Sequence, residues 1–188
     1  MPPERVNTVV IGSGLSGLAV ASELSRQGID SVVIDSTELF GPDLGTRSPS
    51  GLGLAETAHL AERNEVMRVL RHYARSHGMD VRSQAKATAV SLSAPSTGAQ
   101  WIVQTSEGII TADTLVLTRC AQVHLRRLFA SLGLAVGQDL ASAIRAMGLY
   151  FVEVGDSLTL STRQILREAK NVGEAISARY QATHLATA

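Results

Sequence analysis

Three glycines and one carboxylate are the residues whose types and spacing point to chemistry. Gly12-Ser13-Gly14-Leu15-Ser16-Gly17 is a GxGxxG, and Asp35 stands 18 residues beyond its last glycine. Gly12 permits a tight turn, Gly14 lets the backbone approach a pyrophosphate, and Gly17 lets a helix pack closely on a strand. The pyrophosphate would rest on free N–H groups at a helix N-terminus, where the macrodipole favours negative charge. A carboxylate at Asp35 accepts hydrogen bonds from both ribose hydroxyls of an adenosine and repels a 2′-phosphate. A bare GxGxxG also occurs by chance, as a glycine-rich turn in an unrelated α/β domain. Context decides.

A second pair, Gly155-Asp156, follows the apolar run Leu149 to Val154 and precedes a helical stretch. There an aspartate can bind a polyol hydroxyl while the helix start meets a phosphate or a ring carbonyl. The plainer reading is a strand, a turn and an N-terminal cap.

The elements that must position these residues follow from hydrophobic periodicity. Residues 6 to 11 (VNTVVI) read as a buried strand, Leu15 to Gln27 as a helix stopped by Gly28, and Ser31 to Asp35 as a second strand. That order within about 30 residues is a βαβ unit with parallel pairing. Ser36 to about Leu60, rich in Gly and Pro, reads as a long loop. A helix is expected from Glu62 to His77, with Val66, Val69, Leu70 and Tyr73 as its apolar stripe. Strands are expected at Lys86 to Ser93, Trp101 to Thr105, Ile109 to Thr111, Thr114 to Thr118 and Leu149 to Val154; Ser106-Glu107-Gly108 is a hairpin turn. Two short helices carry Leu125, Leu128, Phe129, Leu132 and then Leu140, Ala143, Ile144, Met147. A closing helix spans Thr162 to Tyr180, with a frayed tail after Gln181. The fold class is α/β: a Rossmann-like parallel sheet with helices on both faces plus a small antiparallel meander. It is one domain, with a first segment 1–118, a bridge 119–148 and a second segment 149–182.

Composition narrows the partners. Seventeen basic residues balance 17 acidic ones, so no basic surplus drives nucleic-acid binding. Apolar runs fall far short of the roughly 20 residues that span a bilayer. No secretory signal pattern opens the chain, and a cytoplasmic location is expected. The single cysteine, Cys120, excludes an intramolecular disulfide and a thiolate zinc cluster; it reads as a small hydrophobe or, beside a cofactor, as a redox thiol. The five histidines show no pair at i, i+4, so no metal site is expected. His59 lies in the loop with no carboxylate or nucleophile fixed beside it, which leaves an acid–base role unsupported.

The residues resemble the FAD-binding part of the flavin-containing monooxygenases and their flavoprotein-hydroxylase relatives. The opening VVIGSGLSGLAVASELSRQGIDSVVID is similar to their FAD fingerprint without a gap, residues 63–118 to their helix, meander and strand, and GLYFVEVGDSLTLSTRQILREAKNVGEAI to their last strand and final helix. The resemblance covers about nine-tenths of the chain. It implies that Gly12, Ser13, Gly14, Ser16 and Gly17 hold the FAD pyrophosphate and that Asp35 and Ser36 hold the adenosine ribose. It implies adenine contact by the Ala87 backbone, and a place beside the cofactor for Thr118 at its strand end. Gly155 and Asp156 would meet the ribityl chain or pyrophosphate, and Gln164 and Ile165 the flavin pyrimidine end. Arg63 sits where the family often has an arginine near the flavin; a solvated helix-start arginine is the alternative.

Two departures qualify the resemblance. The family's strand leads into an NADPH-binding domain with a second glycine motif, whereas here 30 residues (119–148) separate Thr118 from Leu149. Self-contained NADPH-driven oxygenation is therefore not expected. Arg119 replaces the family's glycine, and either turns to solvent or lies near the phosphates. The functional expectation is an FAD oxidoreductase taking electrons from a separate reductase or from a small-molecule substrate. The alternatives are a non-redox flavin enzyme, a cyclase or isomerase, and an accessory flavin-binding subunit. A homodimer or hetero-complex through the bridge is expected, because two short helices leave apolar area uncovered.

Overall fold

The computed structural model describes residues 3–36, 54–93, 100–120, 122–133, 140–153 and 160–185. Its elements are β1 (Glu4–Ile11), α1 (Leu15–Arg26), β2 (Ser31–Asp35), α2 (Leu54–Ser76), β3 (Asp80–Ser93), β4 (Gln100–Thr105), β5 (Gly108–Thr118), α3 (Gln122–Ser131), α4 (Leu140–Ala146), β6 (Leu149–Val152) and α5 (Thr162–Leu185).

β1 lies between β2 and β5, parallel to both, and β6 continues the parallel sheet beyond β5. β3 joins two arrangements. Its first residues, Asp80 to Arg82, run parallel to β2, the register slips, and Ala87 to Ser93 then run antiparallel to β4. β4 returns antiparallel to β5 through the turn at Ser106-Glu107. The pairings therefore close into a ring from β1 through β5 and back to β1.

This closure explains why the strands are apolar on both faces. Val9, Ile11, Val32, Ile34, Leu115 and Leu117 point into the ring, where they meet Trp101 and Val103 of the meander. Their neighbours Val10, Val33 and Val116 point the other way, against Val20 and Leu24 of α1 and Ala169 and Ile176 of α5. The buried Trp101 indole donates to the Met147 carbonyl at 2.8 Å, which ties the meander to the end of α4.

Several boundaries differ from the sequence reading, among them that of β6, which ends at Val152 where Glu153 turns left-handed. α2 begins at Leu54, not Glu62, because the glycine run ends at Gly53 and Leu-Ala-Glu are strong helix formers. β3 starts at Asp80, six residues early, because its first residues complete the parallel sheet. Ile109 to Thr118 is one strand rather than two; Ala112 is held by β4 on one side and β1 on the other. α5 continues to Leu185, past the expected fray. The bridge forms the two expected helices. Leu125 is buried, while Leu128, Phe129, Leu132, Ile144 and Met147 are partly buried against the first core. The exposed large hydrophobic residues among those described, Leu60, Val69, Ile109 and Leu185, lie elsewhere.

Candidate functional site

β1, β2, β5 and β6 all end on one edge, the C-terminal edge of the parallel sheet, where open α/β sheets take their ligands. The turn from β1 into α1 sits there, and its three glycines are used in three different ways. Gly12 has φ +121°, and its N–H donates to the Ile34 carbonyl at 2.8 Å. A Cβ on Gly12 would stand 1.9 Å from Thr118 Oγ1, and that hydroxyl is itself committed to the Ile11 carbonyl at 3.0 Å. A Cβ on Gly17 would stand 1.7 Å from the Gly12 carbonyl oxygen. Gly14 differs. It is the N-cap of α1 at φ −80°, and nothing lies within 4 Å of where its Cβ would be. No side chain caps α1, and its first turn holds no acidic residue. The turn thus presents a bare backbone and uncapped helix N–H groups to the space over Gly14, a geometry suited to a phosphate.

Beside this turn the structure assembles a charged cluster from four elements. The Glu153 carboxylate, just past β6, accepts from the Ser16 hydroxyl through one oxygen. Its other oxygen faces Arg63 Nη2 of α2 at 3.3 Å and Arg119 Nε, just past β5, at 3.9 Å. The Glu153 N–H donates to Glu168 Oε2 of α5 at 3.1 Å. Arg119 (φ +54°) and Glu153 (φ +59°) both adopt the left-handed conformation, which costs non-glycine residues about 1–3 kcal/mol each. They end adjacent strands, and the Arg119 N–H donates to the Val152 carbonyl at 3.1 Å. The Glu153 side chain is only 14% exposed.

The sequence-derived candidates are distributed as follows. Gly12, Ser13, Gly14, Ser16, Gly17 and Thr118 come together at the turn, and Arg63 reaches them through Glu153. Asp35 and Ser36 lie at the end of β2 on the same edge, both half-buried. Ala87 is buried in the first core, with its backbone in the β3–β4 ladder. Gln164 makes a reciprocal cap at the start of α5: its Oε1 accepts from the Ser161 N–H at 2.8 Å, and Ser161 Oγ accepts from the Gln164 N–H at 3.3 Å. Ile165 is fully buried. Next to it, Thr162 Oγ1 is buried without a hydrogen-bond partner among the described residues. Gly155 and Asp156 lie outside the described residues. Arg119 is exposed at the end of β5, with its Nε 3.9 Å from Glu153 Oε1. His59 is exposed beside Glu62. Cys120 is buried, and burial pushes its thiol up to about 12, a neutral small hydrophobe.

Glu153 was missed by sequence reasoning. The available signal was its position as the one charged residue in the run LYFVEV. A cavity of about 410 Å3 adjoins the turn, lined by Ser13 and Leu18, by Arg71 and Arg75 of α2 and by Val81 and Ser83 of β3. The described residues contain no cluster of metal-ligating side chains and no helix long and apolar enough to cross a membrane.

The turn and the parallel sheet give the chain a Rossmann-like α/β fold. Residues 10–76 match the family model of the NAD(P)-binding Rossmann-like domain. A stretch of 45 residues is 49% identical to the mitochondrial L-2-hydroxyglutarate dehydrogenase of Arabidopsis thaliana, over 24% of this chain and 9% of that protein. Among solved structures, THI4 of Thermovibrio ammonificans aligns over 94% of this chain and 90% of its own, at 15% identity and a TM-score of 0.64. The flavin-containing monooxygenase of Stenotrophomonas maltophilia aligns over 61% of this chain and 38% of its own, at 21% identity and a TM-score of 0.40. The chain spans less than half the length of the dehydrogenase and of the monooxygenase. The family match spans the end of β1 through α2, and the alignment with THI4 shows a shared fold.

Proposed function

We propose that this chain binds FAD along the C-terminal edge of its sheet and works as an oxidoreductase supplied with electrons from outside. One observation carries the binding reading. Gly12 and Gly17 are walled in on all sides that matter, while the face of Gly14 is open above an uncapped helix N-terminus. A ligand accounts for bare backbone there that packing does not require. Gly14 and the first turn of α1 would take the pyrophosphate, and Asp35 with Ser36 the adenosine ribose. Bound FAD would supply the electron-transfer chemistry, which the protein positions rather than performs.

The electron source is argued from the bridge. Residues 119–148 hold two short helices where relatives of the resembled family insert a second dinucleotide-binding domain. Without such a domain, a separate reductase or a reducing substrate is the natural donor.

Reconstitution tests the reading. Protein incubated with FAD should keep a flavin absorbance band after desalting, and competition by NAD and NADP should be weak. Gly14→Val suits the test because φ −80° is open to valine and the added side chain meets only empty space. It should retain the folded circular dichroism spectrum and lose the flavin. Undiminished flavin content in that variant would sink the assignment.

A further inference from the structure

We propose that the cavity of about 410 Å3 between α1, α2 and β3 is a second ligand site, which takes a small phosphate monoester through Arg71 and Arg75. The inference goes beyond the FAD reading and stands or falls separately from it. The glycine turn, α1, α2 and the start of β3 all contribute walls. Much of the lining is apolar: Leu18 of α1 is buried, and Met79 and Val81 pack against the core that α1 covers. Gly78, at φ +61°, turns the chain out of α2, and the Met79 N–H donates to the Ala74 carbonyl at 3.0 Å. This turn brings the start of β3 back along the helix.

The charged part of the lining is cationic. Arg71 and Arg75 lie one turn apart on one face of α2, Ser13 and Ser83 bring hydroxyls, and no carboxylate lines the cavity among the described residues. Arg68, one turn earlier and outside this cavity, meets Glu65 at 2.6 and 3.2 Å. Arg71 and Arg75 have no such carboxylate partner among the described residues. Two guanidiniums at one cavity repel each other, and an anion between them relieves that repulsion. Charge selects the ligand. Two cations match the dianion of a phosphate monoester, whereas a carboxylate or a sulfate ester leaves one positive charge over. The three terminal oxygens of a monoester also accept from guanidinium forks and hydroxyls at once. The cavity holds more than a bare phosphate, and its apolar lining suits an ester whose organic part covers Leu18 and Val81.

The probe is phenyl phosphate, titrated into the whole chain without nucleotide, with phenyl sulfate as the monoanion of similar shape. Wild-type protein should bind phenyl phosphate about tenfold more tightly than phenyl sulfate. Arg71→Gln and Arg75→Gln should each weaken phenyl phosphate about tenfold, whereas Arg68→Gln should change its Kd less than about twofold. Glutamine suits an exposed helix position, so all three variants should melt close to the wild type. Phenyl phosphate that fails to bind at millimolar concentration, or phenyl sulfate that binds equally well, would overturn the proposal. So would an equal loss in Arg68→Gln, which would reduce the effect to the general charge of α2. In a last arm, saturating FAD should leave the Kd for phenyl phosphate unchanged; displacement would assign the cavity to the dinucleotide and overturn the proposal too. A chain that retains no FAD defeats the FAD reading alone, because the arms without nucleotide still decide this one.

Discussion

The carbonyl oxygen of Gly12 lies 1.7 Å from the point where a Cβ on Gly17 would stand. Helix α1 is therefore pressed against the end of β1 as closely as two backbones allow, and this contact sets the height of the helix N-terminus over the ligand edge. Gly14, two residues from Gly12, touches nothing in that direction.

The contrast separates folding from binding. Gly17→Ala must push α1 off the sheet or shift the turn, an overpacking cost of about 3 kcal/mol that should lower the melting temperature by several degrees. Gly14→Ser should melt close to the wild type, because serine is a good N-cap and its space is empty. Both should bind dinucleotide poorly, measured by retained flavin absorbance. Equal melting temperatures for the two variants would contradict the packing argument.

Acid should weaken the tie between β1 and β3. Arg82 meets Glu4 through both terminal nitrogens at 2.6 and 2.7 Å, and these hydrogen bonds hold the Glu4 carboxyl below its ordinary value near 4.5. A depressed folded value means that the contribution is complete above about pH 5 and is lost as the pH falls through that value. The pair is partly exposed, so it is worth no more than about 1 kcal/mol. Denaturant titrations should show Arg82→Gln less stable than wild type at pH 7, with the gap closing by pH 3. A gap that widens in acid would reverse the sign of the argument.

Cys120 should be silent. Its thiol is buried and held neutral, so a thiol-specific chromogenic reagent at pH 8 should react with native protein only at the rate of unfolding. Denatured protein should titrate one thiol at once. Immediate reaction in the native state would place Cys120 at the surface.

NADPH alone should not reduce FAD bound to this chain at a useful rate. Holding a nicotinamide against a flavin at reacting distance is worth on the order of 7–11 kcal/mol of the barrier. The described residues of the bridge form two short helices packed on the core around Trp101 and Val103. Anaerobic stopped flow with NADPH should show an unbleached flavin over seconds, whereas dithionite should bleach it. Rapid stoichiometric bleaching by NADPH would point to a nicotinamide site in this chain.

What the sequence determined by itself was whatever depends on residues close together in the chain. The strand, turn and helix of residues 4–26 were legible because β-branched residues, three spaced glycines and a 3.6-residue apolar repeat all favour the same local path. The hairpin at Ser106-Glu107 was legible for the same reason. The start of α2 at Leu54 and the unbroken β5 were not. Propensity near Leu54 was outweighed by the glycines just before it, and Ala112-Asp113 looks like a break until β1 and β4 are known to grip Ala112 from both sides.

The site divides along the same line. The close packing at Gly12 and Gly17 and the end of β2 at Asp35 were readable, because the motif is contiguous and its elements are local. The cluster around Glu153 was decided only in three dimensions. Ser16 and Glu153 are 137 residues apart, and their contact exists because β6 lies parallel to β5 and β5 parallel to β1. Parallel pairing brings distant strand ends to one edge, and a carboxylate there meets its cations through the register of the sheet, a property no local stretch of sequence encodes.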